Sequence, residues 1–547
     1  MLRADPDVLL AEALRLRRAG RLTDAIGVAR RLTETDPRRL DGWFVWGTSA
    51  LAAGKLSEAE QVLGEGALRA SPEARVRFLV PRARALTALG RAAEAVAVAR
   101  EALPGVTQAT DFNTLSAVLS QANLPEEALP LSEKAVALDP AASDAWNNLG
   151  SLYQFLGRMA EAETAYERAI ASGPNAAAHL ALARVRKWSA TDNHVDRLKT
   201  VPLIGPLDEA RIAYALFKEL DDLGRTDEAW EALTRGATVA KAATGGWDAA
   251  QETETVAAWQ LSFPPRPYGE RAGVRGLTPV SPSPGAGAPP SPTGGEGKKP
   301  RRLFIVGLPR SGTTLVERIL AAHSHVQALG ELQTFGLAVK RASQSPTPHL
   351  LDADTVRRSA DADPAEIAAL YDTETAFLWD GRSRVTIDKL PHNHDYCGLI
   401  RRAFPDATIV HVRRDPMDSL FGAYRLLFAH AHKWSYALED LAAHYDHYRR
   451  LMAHWQAGDP AIIDLSLETL IASPESEIRR LLSVCGLPFE PACLSPHEAK
   501  GAVATASSAQ VRKPINAEGV GVWRRYERGL KPLHDRLQAL GYIPSST

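Results

Sequence analysis

The sequence predicts an α-helical repeat solenoid followed by an α/β domain with a central parallel sheet. Proline and glycine markers recur through the first ~240 residues, a Pro/Gly-rich stretch interrupts them, and short apolar runs then alternate with helical patterns. The 547 residues exceed what one hydrophobic core usually organises. We therefore expect at least two domains.

The first predicted domain consists of repeats with a period of about 34 residues. In the clearest copy, WNNLGSLYQFLGRMAEAETAYERAIASGP, Trp146 and Tyr166 are large, Gly150 and Ala162 are small, and Pro174 closes the unit. Small residues let two antiparallel helices approach, large ones fill the gap, and proline ends the second helix, as in tetratricopeptide (TPR) repeats. The pattern predicts a TPR solenoid over residues 5–243. The period is marked by Pro37, Pro72, Pro140 and Pro174 and by Gly20, Gly54, Gly90 and Gly157.

The aromatic residues of the repeats allow two interpretations. They form either a peptide-binding surface or the packed core of the repeats. We favour the core for Trp43, Trp146 and Tyr166, because the repeat positions already account for them.

Residues 264–300 are rich in proline and glycine and contain almost no large apolar residue. Such a segment buries too little surface to offset its ordering entropy, which predicts a disordered linker that tethers the repeats near the second domain. Residues 301–547 then alternate strand-like and helical patterns and are predicted to form the α/β domain.

Composition limits the classes of partner. Lys and Arg number 64 against 65 Asp and Glu, so no global basic field would recruit nucleic acid or an anionic membrane. Three scattered cysteines without CxxC spacing argue against a disulfide framework. The N-terminus lacks a signal-peptide pattern, and no run is long and apolar enough for membrane insertion. We expect a cytoplasmic protein.

The segment GLPRSGTTL, residues 307–315, lies between the apolar run LFIV and a helical pattern. Strand, glycine-containing turn and helix are the context of a phosphate-binding loop. Backbone N–H groups, the hydroxyls of Ser311, Thr313 and Thr314, and the guanidinium of Arg310 would surround the anion.

The loop departs from the ATP-binding pattern at one position. Thr313 stands where P-loop ATPases have lysine, and the later strand ATIVHVRRDP ends in Arg413 and Arg414 rather than in a magnesium-binding aspartate. These features disfavour a P-loop kinase and predict an anionic ligand without a triphosphate–magnesium unit. Asp415 is expected to cap the next helix, with Pro416 in its first turn.

Five blocks of the sequence, which follow one another along the chain as in the family, resemble the PAPS-dependent sulfotransferases, in particular the tyrosylprotein sulfotransferases and the bacterial TPR sulfotransferases. PRSGTTL resembles the 5′-phosphosulfate loop and HVRRDPMDSLFGAY the 3′-phosphate motif. GELQTF and IDKLPHN resemble the segments that carry the catalytic glutamate and lysine, and SSAQVRKPIN the late nucleotide-binding block. The resemblance covers both domains of the chain.

The resemblance implies a set of site residues for sulfuryl transfer from PAPS to a hydroxyl. Glu331 would be the general base, Lys389 and Arg310 would stabilise charge, and Ser507 would support the transition state. Gly422 is a departure, because relatives usually have serine there, and Ser419 is a substitute candidate. The implied nucleotide-binding residues are Arg310, Ser311, Gly312, Thr313, Thr314, Arg414, Ser419, Gly422, Tyr448, Ser508, Gln510 and Lys513.

The sequence leaves several alternatives open. The rival hypothesis is a TPR interaction scaffold whose second domain binds a nucleotide without catalysis. Tyrosine in a protein, a glycan, a lipid or a small phenol would each serve as the hydroxyl acceptor, and the repeats would dock a protein acceptor or form a homodimer. Histidine pairs occur at 323/325, 392/394, 430/432 and 444/447, but no cysteine or carboxylate set accompanies them at a usual spacing, so no metal is expected.

Overall fold

The structure is a computed structural model that describes residues 5–265, 299–499, 501 and 510–544. The predicted linker, 264–300, lies almost entirely outside the described residues.

The N-terminal part consists of paired antiparallel helices. The turn between the two helices of a repeat has a left-handed residue at Gly20, Gly54, Gly90, Gly157 and Gly224. Glycine adopts this conformation without a Cβ penalty, which explains why it marks the period. Asn123, with φ of 59°, takes the same place in the intervening repeat. The helices are α1 Pro6–Arg18, α2 Leu22–Thr35, α3 Leu40–Ala52, α4 Leu56–Arg69, α5 Pro72–Ala88, α6 Ala92–Ala102, α7 Ala109–Gln121, α8 Pro125–Leu138, α9 Ser143–Phe155, α10 Met159–Ser172, α11 Ala176–Val185, α12 Val195–Thr200, α13 Pro206–Asp222, α14 Thr226–Thr244 and α15 Ala249–Ser262.

The helical part extends beyond the predicted boundary at residue 243. α14 ends at Thr244, and α15 follows over Ala249–Ser262 with Asp248 as its N-cap. The sequence of α15, AAQETETVAAWQLS, lacks the repeat markers, so the period could not predict it. Its Trp259 is nevertheless fully buried.

The C-terminal part is built on a five-stranded parallel sheet, which confirms the predicted fold class. The strand order is β2-β3-β1-β4-β5. Leu303 of β1 lies opposite Thr408 of β4, and Arg301 of β1 opposite Val385 of β3. The strands are β1 Arg301–Gly307, β2 Val326–Ala328, β3 Val385–Asp388, β4 Thr408–Arg413 and β5 Ile463–Ser466.

Ten α-helices of this domain are described. Asp415 caps α21 as predicted, since its carboxylate accepts a hydrogen bond from Asp418 N at 2.9 Å, and Pro416 stands in the first turn. The helices are α16 Thr313–Ala321, α17 Thr334–Ser343, α18 Ala353–Ser359, α19 Pro364–Thr375, α20 Cys397–Ala403, α21 Pro416–Tyr424, α22 Leu438–Gly458, α23 Leu467–Ala472, α24 Pro474–Val484 and α25 Glu527–Ala539.

The sheet has a topological switch point between β1 and β4. The chain leaves β1 through α16 toward β2 on one side and leaves β4 toward β5 on the other. Ligands of open parallel sheets bind in the crevice outside the carboxyl ends of the two strands at such a point. The loop after β1 and the arginines at the end of β4 meet there.

The repeat helices and the α/β domain share one hydrophobic core. Trp259 of α15 packs edge-on against Tyr396 and Trp455, with ring centroids 6.0 and 5.5 Å apart. The ring centroid of Phe217, on α13, lies 6.1 Å from the ring centroid of Tyr526. The expectation that the repeats hang on a tether near the site is therefore wrong, because the two parts are packed together.

Two further features follow from the described residues. All three cysteines are buried and free. None of the helices in the described ranges combines the length and the apolar character needed to cross a membrane.

Candidate active site

The loop after β1 has the backbone of an anion-binding turn. Gly307, Arg310 and Gly312 all have positive φ, of 153°, 71° and 99°. A Cβ at Gly307 would lie 2.4 Å from Val412 O, and one at Gly312 would lie 2.7 Å from the Leu467 side chain. Both glycines are thus required by close approach, and α16 begins directly after them at Thr313.

Ser311 lies at the centre of this loop. Its side chain is only 1% exposed, and its hydroxyl has no hydrogen-bond partner among the described residues. A buried hydroxyl without a partner costs about 1–3 kcal/mol, which a ligand oxygen would recover. Thr313 and Thr314, in the first turn of α16, are also buried. The predicted loop residues therefore lie together at a helix N-terminus, where an anion is favoured.

Glu331 and Lys389 form an ion pair at the carboxyl ends of β2 and β3. Lys389 Nζ lies 2.5 Å from Glu331 Oε1, and the backbone N–H of Lys389 donates to Gly330 O at 3.0 Å. The lysine side chain is fully buried, whereas 36% of the glutamate side chain is exposed. The structure thus joins two residues that are 58 positions apart and leaves the carboxylate accessible.

A second carboxylate, Glu317, was missed by the sequence analysis. It lies on α16, and its Oε2 is 3.6 Å from Lys389 Nζ. Burial alone would lower the pKa of Lys389, but Glu317 and Glu331 outweigh it, and the pKa is raised above its usual value. Burial raises the pKa of Glu317. Its position four residues after Thr313 puts it on the loop-facing side of α16 and was the available signal.

Four arginines contribute positive charge beside the loop. Burial, which is the largest cause, and the charges of Arg425, Arg414 and Arg184 together lower the pKa of Arg310 to about 9. Arg425 follows α21, whereas Arg184 belongs to repeat helix α11. Burial and the Arg425 charge likewise lower the pKa of Arg184 to about 10. Cations gathered in this way favour an anion between them. Arg184 and Arg425 were not predicted.

Arg414 has contacts that the resemblance did not imply. Its Nη1 donates to Arg310 O at 3.0 Å, and its Nη2 donates to Gly519 O. It therefore ties the loop to the C-terminal segment. Its Nε has no hydrogen-bond partner within the described residues and is left to contact a ligand.

A cavity of about 520 Å³ lies at the switch point of the sheet. It brings together four of the predicted nucleotide-binding residues from the loop, from α21 and its N-terminal flank, and from α22. Tyr448 is buried, and its hydroxyl lies 2.5 Å from His411 Nε2. The four residues are Ser311, Arg414, Ser419 and Tyr448.

Gly422 also has a local explanation. A Cβ at this position would lie 3.0 Å from Arg310 Cβ and 3.3 Å from its Cγ. The absence of a side chain at position 422 of α21 therefore leaves room for the Arg310 side chain. The departure from the usual serine is coupled to the position of the loop arginine.

The late block is described only in part. Ser507 and Ser508 lie outside the described residues, and Gln510 is described by its backbone alone, in the 3₁₀ turn Gln510–Arg512. Lys513 is exposed and paired with Glu518 at 2.8 Å. Arg512 reaches the repeats, where its Nη2 donates to Phe155 O at 3.0 Å.

Three of the histidine pairs meet in a second cavity, of about 780 Å³. His392 Nε2 lies 2.6 Å from His432 Nδ1, and His444 Nδ1 lies 2.7 Å from Glu252 Oε1 of α15. Burial lowers the pKa of His432 to about 3. Tyr448 lines this cavity as well as the first. The pairs lie on different segments of the chain, and their spacing gave no sign of this convergence.

Comparison with family models now identifies the two parts. Residues 300–491 match the model of the sulfotransferase family. Residues 119–185, and residues 10–75 and 44–111, match tetratricopeptide repeat models. The chain carries a sulfotransferase-family domain after tetratricopeptide repeats.

Two curated relatives share parts of this organisation. An uncharacterized protein of Aquifex aeolicus (strain VF5) is 30% identical over 433 residues, which are 77% of this chain and 54% of that protein. The chain thus spans about half the length of this relative. A Caenorhabditis briggsae protein named "Putative protein-tyrosine sulfotransferase" is 24% identical over 256 residues, 45% of this chain and 90% of that protein.

Solved structures resemble about a third of this chain. The match to the pilF structure of Pseudomonas aeruginosa covers 33% of this chain and 82% of the pilF chain, at 19% identity and a TM-score of 0.30. A thermophilic TPR protein of Thermus thermophilus, also 19% identical, covers 31% of this chain and 93% of its own, with a TM-score of 0.28.

Proposed function

We propose that the protein transfers a sulfuryl group from PAPS to a hydroxyl acceptor. The observation that carries the proposal is the Glu331–Lys389 ion pair. It lies at the carboxyl ends of the parallel strands, where the anion-binding loop also lies. An accessible carboxylate beside a buried cation suits a reaction in which a hydroxyl loses its proton while charge develops on a transferring anion.

The residues around the loop fit the donor. The loop amides and Ser311 would hold the 5′-phosphosulfate, with Thr313 and Thr314. The cavity with Arg414, Ser419 and Tyr448 would take the 3′-phosphoadenosine part. The cationic side chains Arg310 and Lys389 would neutralise the group that ATP enzymes neutralise with magnesium. Ser507, Ser508, Gln510 and Lys513 stay predicted contacts by resemblance.

These groups account for the bonds, the proton and the charge that change in the transfer. The acceptor oxygen forms a bond to sulfur while the bond from sulfur to the 5′-phosphate oxygen breaks. Glu331 receives the acceptor proton, and Lys389 and Arg310 stabilise charge on the sulfuryl oxygens and on the departing 3′,5′-bisphosphate. The products are a sulfate ester and adenosine 3′,5′-bisphosphate.

We further infer that the acceptor is a tyrosine in a polypeptide. The relative named as a protein-tyrosine sulfotransferase supports this acceptor class, and TPR arrays commonly present peptide-binding surfaces. The repeat turns also lie beside the site: a Cβ at Gly330 would be 3.3 Å from the Asn123 side chain. A peptide held by the repeats would thus lie near Glu331.

Two measurements on the full chain test the function. The first is binding of adenosine 3′,5′-bisphosphate and of ATP with magnesium by calorimetry, with and without EDTA. We expect preference for the bisphosphate and an affinity that EDTA leaves unchanged, because protein cations and amides make the contacts. Preference for magnesium-ATP would contradict the proposal.

The second measurement is transfer from radiolabelled PAPS to a tyrosine peptide and to its phenylalanine counterpart. Label is expected on the tyrosine peptide alone. Bisphosphate binding without transfer to peptide, glycan, lipid or phenol would instead support the non-catalytic scaffold.

A further inference from the structure

The cavity of about 780 Å³ has no role in the proposed transfer, yet imidazoles from three separate segments line it. They come from the turn after β3, from the segment between α21 and α22, and from α22 itself. Helix α15 lines the cavity and contributes Glu252. The histidines from the three segments are His392, His394, His430, His432, His444 and His447, and His349, from the segment between α17 and α18, also lines the cavity.

The potential ligand atoms are close enough to share one ion. One ligand atom from each of His392, His394 and Asp395 lies within 4.8 Å of the others. His432 Nδ1 is 2.6 Å from His392 Nε2. Ligand atoms about 2.0–2.1 Å from a tetrahedral zinc ion are roughly 3.3 Å apart, so small side-chain movements would complete a coordination sphere.

The hydrogen bonds orient these imidazoles as ligands. His394 Nδ1 lies 3.0 Å from Pro391 O, which can only accept, so Nδ1 donates this hydrogen bond and Nε2 is the ring nitrogen left for a ligand. That Nε2 lies 3.4 Å from Asp395 Oδ1. An imidazole held through its other nitrogen by a backbone carbonyl or a carboxylate is the usual outer support of a metal ligand.

Three buried ring nitrogens of the cavity histidines have no hydrogen-bond partner within the part of the chain that the structure describes. They are His392 Nδ1, His444 Nε2 and His447 Nδ1. The side chain of His444 is 6% exposed, and its Nδ1 is oriented by Glu252, as in a carboxylate–histidine–metal arrangement. Buried polar atoms in native proteins are nearly always paired, and an ion or an ordered water would supply the missing contact here.

We propose that this cavity is a binding site for a divalent transition metal, with His392, His394, His432 and Asp395 as ligands. Three imidazoles and one carboxylate, without thiolates, suit Zn²⁺ and other imidazole-preferring ions rather than Ca²⁺ or Mg²⁺. His444, held by Glu252, is a further imidazole donor on the cavity wall. The site is separate from the anion-binding loop, and the inference does not rest on sulfuryl transfer.

The test uses the full chain, first treated with a chelator and then transferred to chelator-free buffer. Co²⁺ is added and its visible absorption is followed, and Zn²⁺ is then added as a competitor. We expect one equivalent of Co²⁺ with the bands of a low-coordinate nitrogen and oxygen site, which Zn²⁺ abolishes. No stoichiometric binding of Co²⁺ or Zn²⁺ by the wild type would overturn the proposal.

Variants then assign the ligands. His392→Gln combined with His432→Gln should lower Co²⁺ affinity by at least 100-fold, and Asp395→Asn by at least tenfold. His325→Gln, a matched change in the HSH pair outside the cavity, should bind like the wild type. Binding by the double variant equal to that of the wild type would overturn the assignment. Thermal unfolding in EDTA verifies that each variant is folded, and the wild-type titration decides the proposal even if a variant is not.

Discussion

Lys389 illustrates how the surroundings of a residue that is unremarkable in sequence can make it a candidate for function. Alone, a lysine after a short strand is usually solvated, but here the side chain is fully buried between two carboxylates. Burial disfavours the charged ammonium, whereas Glu317 and Glu331 restore it. Because two carboxylates flank this lysine, Glu331 would be able to act at the acceptor in the proposed transfer while Glu317 remains beside the Lys389 ammonium.

These proposed roles predict that both residues are needed for turnover. Glu331→Gln and Lys389→Ala should each lower kcat by roughly 10²-fold or more, the usual scale for a general base or a charge stabiliser. Bisphosphate affinity should change little for Glu331→Gln. The measurement is steady-state transfer together with calorimetric binding, with Glu366→Gln on the exposed face of α19 as the control. Normal turnover by Glu331→Gln would require another base.

Gly422 gives a second residue-scale prediction. Gly422→Ser would supply the hydroxyl that relatives carry, but its Cβ would crowd Arg310 at 3.0 Å. We expect lower bisphosphate affinity for both Gly422→Ser and Gly422→Ala, by about tenfold, because the loop arginine must shift. Calorimetry on the pair separates the two effects, since only serine adds a hydroxyl. A serine variant that binds more tightly than the wild type would show that the hydroxyl outweighs the crowding.

At the scale of elements, the end of β3 and the 3₁₀ turn after it are joined by a buried acid. Asp388 Oδ2 accepts a hydrogen bond from Tyr371 Oη at 3.1 Å, and its Oδ1 accepts one from Asn393 Nδ2 at 3.2 Å. Burial raises the pKa of Asp388 to about 8, and this value already includes the hydrogen bonds, which act to lower it. The carboxyl therefore keeps its proton in the folded protein at neutral pH.

This acid predicts a pH dependence of stability. The unfolded chain releases the Asp388 proton above about pH 4, whereas the folded protein holds it until about pH 8. The free energy of unfolding should therefore fall as pH rises from 4 to 8, by up to about 1.4 kcal/mol per pH unit from this group. Asp388→Asn should flatten the profile in urea titrations, and the exposed Asp361→Asn should not. An unchanged slope in Asp388→Asn would contradict the shift.

The sequence predicted elements where local chemistry determines them. The left-handed turns at Gly20, Gly54, Gly90 and Gly157 follow from the glycines that mark the period, and the cap at Asp415 from its own side chain. α15 was missed because its burial depends on rings about 140 to 200 residues away. Likewise, the charge cluster with Arg184 and the histidine cavity depend on contacts between distant segments, which periodicity does not encode.

At the scale of the whole molecule, the repeats pack against the second domain rather than form a separate module. Tyr214 of α13 donates to Tyr424 O at 3.2 Å, and Asp221 accepts from Tyr526 at 2.6 Å. Glu374 of α19 accepts from Ala93 N at 3.1 Å. These bonds join helices α6 and α13 of the repeat region to the sulfotransferase domain, so a change in the repeats can reach the anion-binding loop.

Arg184 provides a direct test of that connection. Its Nη2 is buried and has no hydrogen-bond partner among the described residues, and its charge acts on Arg310. Arg184→Gln should lower bisphosphate affinity by about tenfold, which equals about 1.4 kcal/mol, without lowering the stability of the ligand-free protein. Arg168→Gln, on the exposed face of α10, is the matched control. Equal affinity for the two variants would place Arg184 outside the reach of the anion.

The shared core also predicts that the sulfotransferase domain does not fold by itself. Without the repeats, Tyr396, Trp455 and Tyr526 lose the aromatic rings of Trp259 and Phe217 that cover them. A chain that begins near Lys298 should bind a hydrophobic dye and lack a cooperative thermal transition, whereas the full chain should unfold in one transition. The reason is that large apolar contacts removed from a core cost several kcal/mol.

A matched experiment keeps every contact between the repeats and the second domain and cleaves only the segment of chain that connects them. A protease site introduced into the 264–300 segment should, after cleavage, leave two fragments that elute together and retain bisphosphate binding. The repeats would be dispensable for the fold of the site if the truncated chain melted cooperatively and bound the bisphosphate, or if the cleaved fragments separated and the C-terminal fragment still bound it.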